Sequence, residues 1–176
     1  MPVSSFISFC LAAALAPIPA GAEVLVPCLR PPVEALVADP FRVPLCPWCP
    51  GNRGLEYDVP AGTVARAAAA GIVTFSGSVA GVIYVVVEHA DGLRATYGRL
   101  VAAAVETGQR VAAGQVVGRS GDGLLFGLRR GDTYVDPAPL LGRLVERPRL
   151  VPTDGTAPRP APPPVLACRA GSAGTW

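Results

Sequence analysis

VIYVVVEHADGLRATYGRL, residues 82–100, decides the fold of this chain. Its first part, 82–87, is almost continuously apolar and β-branched, which is typical of a central strand covered on both faces. Asp91-Gly92 then predicts a two-residue hairpin turn, and Leu93–Tyr97 is again β-prone. The stretch therefore predicts two antiparallel strands in the middle of a sheet.

Outward from this hairpin, the chain consists of short β-prone runs separated by glycine turns. Thr63–Ala68 and Gly71–Ser76 precede the hairpin, and Val33–Val37 is a further candidate strand. Helical periodicity is weak throughout, and the alanine run at 67–70 ends at Gly71. The predicted fold class is all-β, a compact antiparallel β-sheet or sandwich with short strands and glycine turns.

At 176 residues the chain is long enough for one domain with appendages. Four regions follow from its composition: a signal peptide at 1–22, a proline-rich approach segment at 23–50, a β domain at 51–144 and a proline-rich tail at 145–176. The tail contains PRPAPPP at 158–164 and is predicted to be extended or disordered from Arg147 onward.

The first 22 residues have the pattern of an export signal. An apolar run from Ser5 to Ala16 is followed by helix-breaking prolines and by Ala20-Gly21-Ala22, an A-x-A cleavage site. Cys10 lies within the apolar run, which argues against lipid attachment, and no stretch is long enough to span a membrane. We therefore expect a secreted, extracytoplasmic protein associated with the cell envelope, without stable membrane insertion.

Four cysteines remain after the signal, and an even number in an exported chain favours disulfides. Cys46 and Cys49 can close locally, which leaves Cys28 and Cys168 to tie the N-terminal part to the tail, although other pairings remain open. A redox CxxC would need a following helix, which the surrounding prolines disfavour. Structural zinc would need a second closely spaced cysteine pair.

Composition also excludes several classes of function. The formal charge of +2 comes from arginine alone, because the chain has no lysine. Lysine Schiff-base chemistry and a lysine-attached cofactor are therefore impossible. The arginines are scattered rather than clustered, so we expect no nucleic-acid partner.

An ordered set of motifs resembles the lysostaphin/LytM-type peptidoglycan endopeptidases, particularly the small secreted form of actinobacteria. The resemblance spans Phe41 to about Leu144. Its elements are Arg53–Thr63, the alanine–glycine turn at Ala69–Val73, VEHADGLRATY at Val87–Tyr97, the glycine-spaced hairpin at Val105–Gly118 and FGLRRGDTYVDP at Phe126–Pro137. Biotinyl and lipoyl domains share the glycine-spaced hairpin alone, but they need a lysine that this chain lacks. The resemblance implies a LytM-like β domain at 51–144 of the duplicated hybrid motif type.

The resemblance also implies where a zinc site would lie. The first histidine ligand of the family falls at Asn52, the aspartate ligand at Glu56, and the terminal H-x-H on Gly123, Leu124 and Leu125. A further active-site histidine falls at Arg99. Catalytic zinc needs three protein donors and an open position for water, whereas leucine has no donor atom and an amide is a poor ligand. We therefore expect no cofactor, with the family's zinc lost.

The remaining candidate side chains have ordinary structural interpretations as well. Glu56 is expected to form an ion pair with Arg53, Arg99 or Arg129 rather than to bind metal. Asp122 is either a displaced ligand or, more simply, a turn former. His89, the only histidine, falls outside the ligand set and is expected to be a satisfied structural residue. Asn52 fits an ordinary turn.

These residues predict a secreted, catalytically inactive LytM-like domain that binds peptidoglycan or a cell-wall hydrolase. Inactive relatives activate amidases or recognise peptidoglycan, so the resemblance implies either role. A ligand groove is expected at Asn52, Glu56, Arg99 and Asp122, with Arg99 as the partner of an anion. Two alternatives remain open: an active zinc endopeptidase that uses Asn52, Glu56 and Asp122, and a disulfide-stapled structural or decayed protein without a specific ligand.

Overall fold

A computed structural model describes residues 26–46, 48–146, 148, 152–153, 156–168 and 172–174. The signal-peptide prediction for 1–22 lies outside these residues. Within them the chain is all-β, as predicted, and its only helical element is a 3-10 turn at Ala138–Leu140. The strands are β1 Val26–Cys28, β2 Val37–Asp39, β3 Leu55–Tyr57, β4 Val64–Arg66, β5 Gly71–Val79, β6 Val82–His89, β7 Leu93–Ala103, β8 Arg110–Val111, β9 Val116–Arg130, β10 Thr133–Val135, β11 Arg143–Val145, β12 Val165–Ala167 and β13 Ser172–Gly174.

The main sheet has nine antiparallel strands in the order β2-β3-β9-β7-β6-β5-β8, and β4 and β10 also pair with β9. β9 is the longest strand, with 15 residues, and it pairs with four others. The short strand β3 is therefore held beside the long hairpin of β6 and β7 through β9 alone. This arrangement brings residues that are distant in sequence onto one sheet face.

One face of this sheet is the core. Tyr97 and Phe126 lie at its centre with ring centroids 5.4 Å apart, and both are fully buried. The alanine run at 67–70 folds over Tyr97, and the Ala68 N–H donates to the Tyr97 hydroxyl at 2.7 Å. Burial raises the pKa of the Tyr97 hydroxyl, so this phenol is neutral at physiological pH.

The other face of the sheet is open, which corrects the prediction for 82–87. Val85 and Val87 are buried in the core, whereas Tyr84 and Val86 are half-buried on the open face. Successive residues of a strand point to opposite faces, so an uninterrupted apolar run does not require cover on both sides. The turn that follows is also longer than predicted: Ala90, Asp91 and Gly92 form a three-residue loop in which Gly92 has φ +75°.

The tail corrects a second prediction. Its described residues include two paired strands, since β12 pairs with β11 and β13 pairs with β1. Residues 156–164 have no strand or helix and are exposed, in agreement with the predicted extended segment. A Cys28–Cys168 disulfide holds the returning tail, and Cys46–Cys49 closes a local loop. Both pairings are as expected, and no thiol of the four is left for zinc or redox chemistry.

The approach segment differs from its prediction as well. Val33–Val37 is not a strand: Val33 lies in a bend with its side chain in the core, and strand pairing begins only at Val37. The preceding Pro31 and Pro32 lack the N–H groups that a paired strand would use. Among the described residues, no helix has the length and apolar character required to cross a membrane.

Candidate functional site

Two of the positions at which the resemblance places zinc ligands, Glu56 and Leu125, lie in one row across the open face. Asp39 of β2 lies opposite Glu56 of β3, Glu56 opposite Leu125 of β9, and Leu125 opposite Gly98 of β7. Residues directly opposite each other in antiparallel strands point to the same face. Tyr84 of β6 continues the row, since a Cβ atom at position 98 would lie 2.6 Å from its ring. The sheet register therefore assembles the site.

Asn52 lies at the end of this row and is a structural residue. It is only 5% exposed, and its backbone forms a bridge with Arg42. The side-chain amide donates to the Asp39 carbonyl at 3.2 Å, and its oxygen accepts a hydrogen bond from the Gly54 N–H at 3.2 Å. Both polar groups of the amide thus hold the connection between β2 and β3, in agreement with the predicted turn role.

Glu56 forms an ion pair with Arg99, one of the three arginines expected for it. Nη2 of Arg99 lies 2.8 Å from Oε1 of Glu56, and the two side chains are 46% and 26% exposed. A Cβ atom at Gly123 would lie 3.8 Å from Nη1 of Arg99. The guanidinium therefore lies between two positions at which the resemblance places zinc-site residues. Arg99 has φ +58°, an uncommon conformation for a residue with a side chain.

A second ion pair lies beside the first. Arg42 donates from both terminal nitrogens to the Asp39 carboxylate. Its hydrogen bond lowers the pKa of Asp39 below the ordinary value, and Asn52 and Arg99 contribute in the same direction. Asp39 correspondingly raises the pKa of Arg42, with a smaller contribution from Glu56. The four charges of Asp39, Arg42, Glu56 and Arg99 therefore compensate one another.

The terminal H-x-H positions provide no donor at the site. Leu125 is half-buried on the open face, and its Cδ2 would lie 3.3 Å from a Cβ atom at Gly98. Leu124 points into the core and is fully buried. Gly123 has φ +85°, a conformation that favours glycine. Asp122 is exposed and makes no side-chain hydrogen bond or ion pair within the described part of the chain, so the structure does not join it to this cluster.

The residues present do not fit a catalytic zinc ion. Such a site needs three protein donors that are free to coordinate. Here the Asn52 amide is occupied by the backbone, the Glu56 carboxylate is paired with Arg99, and Leu125 has no donor. In the part of the chain that the structure describes, no three His, Cys, Asp or Glu side chains lie close enough together to hold a metal ion.

His89 lies on the core face of β6, away from this row, as its position outside the ligand set implied. Its Nδ1 is 2.9 Å from the Ala70 carbonyl, but Nε2 is buried without a hydrogen-bond partner among the described residues. The expectation of a satisfied histidine is thus correct for one ring nitrogen and wrong for the other. Burial lowers the pKa of His89, against smaller raising effects of the Ala70 carbonyl and Asp91.

Beyond Leu125, the open face carries a group of residues that the sequence pattern does not place together, since it suggests Arg53 and Arg129 only as partners of Glu56. Arg94, Arg129 and Tyr134 line a cavity of 310 Å³ there, and the Arg53 guanidinium lies over the Tyr134 ring at 5.7 Å from its centroid. The available signal was the strand alternation of 93–98, which places Arg94, Thr96 and Gly98 on one face.

Comparison with known proteins identifies relatives of this fold. The family model described as peptidase family M23 matches residues 50–137, half of the chain. An uncharacterised protein of Mycobacterium tuberculosis is 34% identical over 126 residues, covering 64% of this chain and 49% of that protein. The chain thus spans about half the length of the mycobacterial relative.

Solved structures agree with the family match. Helicobacter pylori Csd3 is 28% identical with a TM-score of 0.58, over 65% of this chain and 33% of that one. A Pseudomonas aeruginosa protein described as a peptidase M23 is 31% identical with a TM-score of 0.55, over 67% of this chain and 51% of that one. The all-β fold with its antiparallel sheet is therefore that of M23 peptidases.

Proposed function

Because the chain belongs to peptidase family M23, whose members are metallopeptidases, we propose that it is a catalytically inactive member that acts as a binding or regulatory module in the cell envelope. Its ligand is peptidoglycan or a cell-wall hydrolase. The proposal takes the scaffold from the family and the chemistry from the side chains on the open face, since fold alone does not determine function.

The ion pair between Glu56 and Arg99 is the observation that carries the proposal. Glu56 is the only carboxylate at a ligand position implied by the family, and its charge is already compensated by a guanidinium at 2.8 Å. A guanidinium is permanently charged but has no vacant coordination position, so it cannot bind and acidify a water molecule as catalytic zinc does. Arg99 therefore supplies a positive charge at the site but not the catalytic chemistry of zinc.

The proposed location outside the cytoplasm has separate support. The Cys28–Cys168 and Cys46–Cys49 disulfides are typical of proteins in oxidising compartments, because the cytosol keeps thiols reduced. Peptidoglycan and its hydrolases are found in such a compartment. The proposed signal peptide at 1–22 would deliver the chain there.

The first test is the zinc content of the chain, produced with both disulfides formed and dialysed against trace zinc. We expect less than about a tenth of an equivalent, because one paired carboxylate cannot replace three donors. A Glu56→Gln variant is the matched control, since it removes the Glu56 carboxylate with almost no change in side-chain size. Near-stoichiometric zinc that Glu56→Gln abolishes, together with cleavage of peptidoglycan, would establish the active-enzyme alternative instead.

The second test is co-sedimentation with purified insoluble peptidoglycan. We expect saturable binding without release of soluble fragments, or a changed rate of fragment release by an added purified cell-wall hydrolase. If the chain neither binds peptidoglycan nor affects the hydrolase, the proposal fails and a structural or decayed protein without a specific ligand is the better description.

A further inference from the structure

A second row of side chains crosses the open face next to the site. Glu88 of β6 lies opposite Arg94 of β7, Arg94 opposite Arg129 of β9, and Arg129 opposite Tyr134 of β10. All four side chains therefore point to the same face as Leu125. Two of the four are cationic and neighbour each other directly, which concentrates positive charge at this end of the face.

Between the two rows lies a row of small residues. Val86 is opposite Thr96, and Thr96 is opposite Gly127. Because these side chains are shorter than those on either side, the face has a depression here. The cavity measures 310 Å³, at the lower end of the range for small-ligand sites, which begins at about 300 Å³. Tyr84 and Leu125 form its wall toward the first row.

One guanidinium at the rim of this cavity, that of Arg129, has no carboxylate partner among the described residues. Arg94 is compensated by Glu88, with Nε 2.7 Å from Oε2. Arg129 is half-buried and, within the described part of the chain, makes no side-chain hydrogen bond or ion pair. The Arg53 guanidinium lies over the Tyr134 ring. No carboxylate lines the cavity, so its rim is cationic above an apolar floor.

We propose that this cavity binds the C-terminal carboxylate of a peptide that ends in a small apolar residue, an inference that rests on the binding role proposed above. The Arg129 guanidinium presents a planar fork of donors suited to a carboxylate. The floor at Val86, Thr96 and Gly127 consists of short side chains and offers a methyl group apolar contact. An inorganic anion would leave this apolar floor unused.

Leu125 connects the proposal to the altered zinc site. At this position the family resemblance implies a histidine ligand, and the leucine instead gives the cavity an apolar wall. The substitution that removes a metal donor thus also shapes a pocket for an uncharged side chain. Binding would occur beside the neutral cluster of Glu56 and Arg99 rather than at it, so the anion partner is Arg129 and not Arg99.

The test uses isothermal titration calorimetry of the full chain with acetyl-lysyl-D-alanyl-D-alanine, its C-terminal carboxamide and its all-L isomer. We expect the acid to bind and the carboxamide to bind at least about ten-fold more weakly, because the carboxamide lacks the negative charge that strengthens hydrogen bonds from a guanidinium. Tighter binding of the D-alanyl acid identifies a cell-wall peptide as the source of the carboxylate, and tighter binding of the all-L acid identifies a protein terminus. Either preference supports carboxylate recognition.

Arg129→Ala should weaken binding of the acid at least about ten-fold and leave binding of the carboxamide unchanged. Arg130→Ala is the matched control: it removes the same charge one residue away, where the side chain pairs with Asp91 at 3.4 Å. The proposal would be overturned by any of three results. These are equal affinity of the two variants for the acid, equal affinity of the parent chain for acid and carboxamide, or no binding of any peptide. Near-UV circular dichroism confirms that both variants fold.

Failure of this proposal is distinguishable from failure of the proposed function. If the chain sediments with peptidoglycan and Arg129→Ala does not alter that binding, the cavity is not the site but the binding role remains. If zinc is bound and peptidoglycan is cleaved, the inactive role fails, and the three peptides still decide whether the cavity recognises a carboxylate.

Discussion

Removing the two disulfides separately should destabilise the chain to very different extents. Cys28 and Cys168 are 140 residues apart in sequence, whereas Cys46 and Cys49 are 3 apart. A cross-link stabilises mainly by restricting the unfolded chain, and the restriction grows with the length of the closed loop. The perturbation is a pair of double variants, Cys28→Ala with Cys168→Ala and Cys46→Ala with Cys49→Ala.

The expected magnitudes follow from the loop lengths. Loop-closure entropy gives about 5 kcal/mol for the long loop and about 2 kcal/mol for the short one at 25 °C. Packing adds to the first value, because Cys28 is 3% exposed and its Sγ would lie 2.9 Å from a Cβ atom at Gly142. The free energies of unfolding of the two variants should therefore differ by about 3 kcal/mol or more.

Urea unfolding followed by circular dichroism measures this difference. With a slope of about 2 kcal/mol per molar urea, the midpoint should fall by about 2.5 M in the long-loop variant and by about 1 M in the other. A free-thiol assay of the parent chain confirms that both bonds are formed. If the two variants lose equal stability with unchanged slopes, chain entropy is not what the Cys28–Cys168 bond contributes, and the reasoning is wrong.

Three further changes have defined outcomes. A double-mutant cycle with Glu56→Gln and Arg99→Gln should give a coupling free energy of about 0.5–1 kcal/mol in urea unfolding. Because the ion pair is partly exposed, this coupling should decrease in high salt, and a coupling unaffected by salt would contradict the prediction. Tyr97→Phe should cost about 1–2 kcal/mol in thermal or urea unfolding, since it leaves the buried Ala68 N–H without an acceptor. Burial lowers the pKa of His89 below 6.5. As the pH decreases, His89 is therefore protonated in the unfolded chain at a higher pH than in the folded chain. Stability should therefore be full above pH 6.5 and fall as pH decreases through the folded pKa, and His89→Gln should flatten that slope; parallel pH profiles of the two proteins would refute this.

The strands could largely be predicted because their signals are local. The β-prone runs at 71–76, 82–88 and 93–97 all lie within strands, although β5 and β7 extend further than their apolar patterns. The sequence does not predict β9 as one strand, because glycines interrupt it from Gly118 to Gly127. Pairing with strands on both sides overrides the weak intrinsic preference of those glycines.

Of the groove predicted at Asn52, Glu56, Arg99 and Asp122, Glu56 and Arg99 are in contact in the structure, whereas Asp122 is not joined to them. The motif order placed Glu56, Arg99 and Leu125 close together, and the register of β3, β9 and β7 does bring them together. Which arginine would pair with Glu56 depended on side-chain directions across three strands, and no local pattern reports these. The return of the tail to β11 and β1 likewise depends on long-range pairing and on the Cys28–Cys168 bond.

Strand alternation also separates the side chains that stabilise this fold from those at the zinc-ligand positions implied by the family. The side chains that stabilise the sheet, such as Tyr97 and Phe126, point to the core face, while Glu56 and Leu125 of the site point to the open face. The strands that carry the site are joined by backbone hydrogen bonds to β9, so their geometry does not need a metal ion as a zinc finger does. A substitution on the open face should therefore cost little stability. For this reason family membership predicts the scaffold of this chain, whereas its function must be tested at Glu56, Arg99 and Arg129.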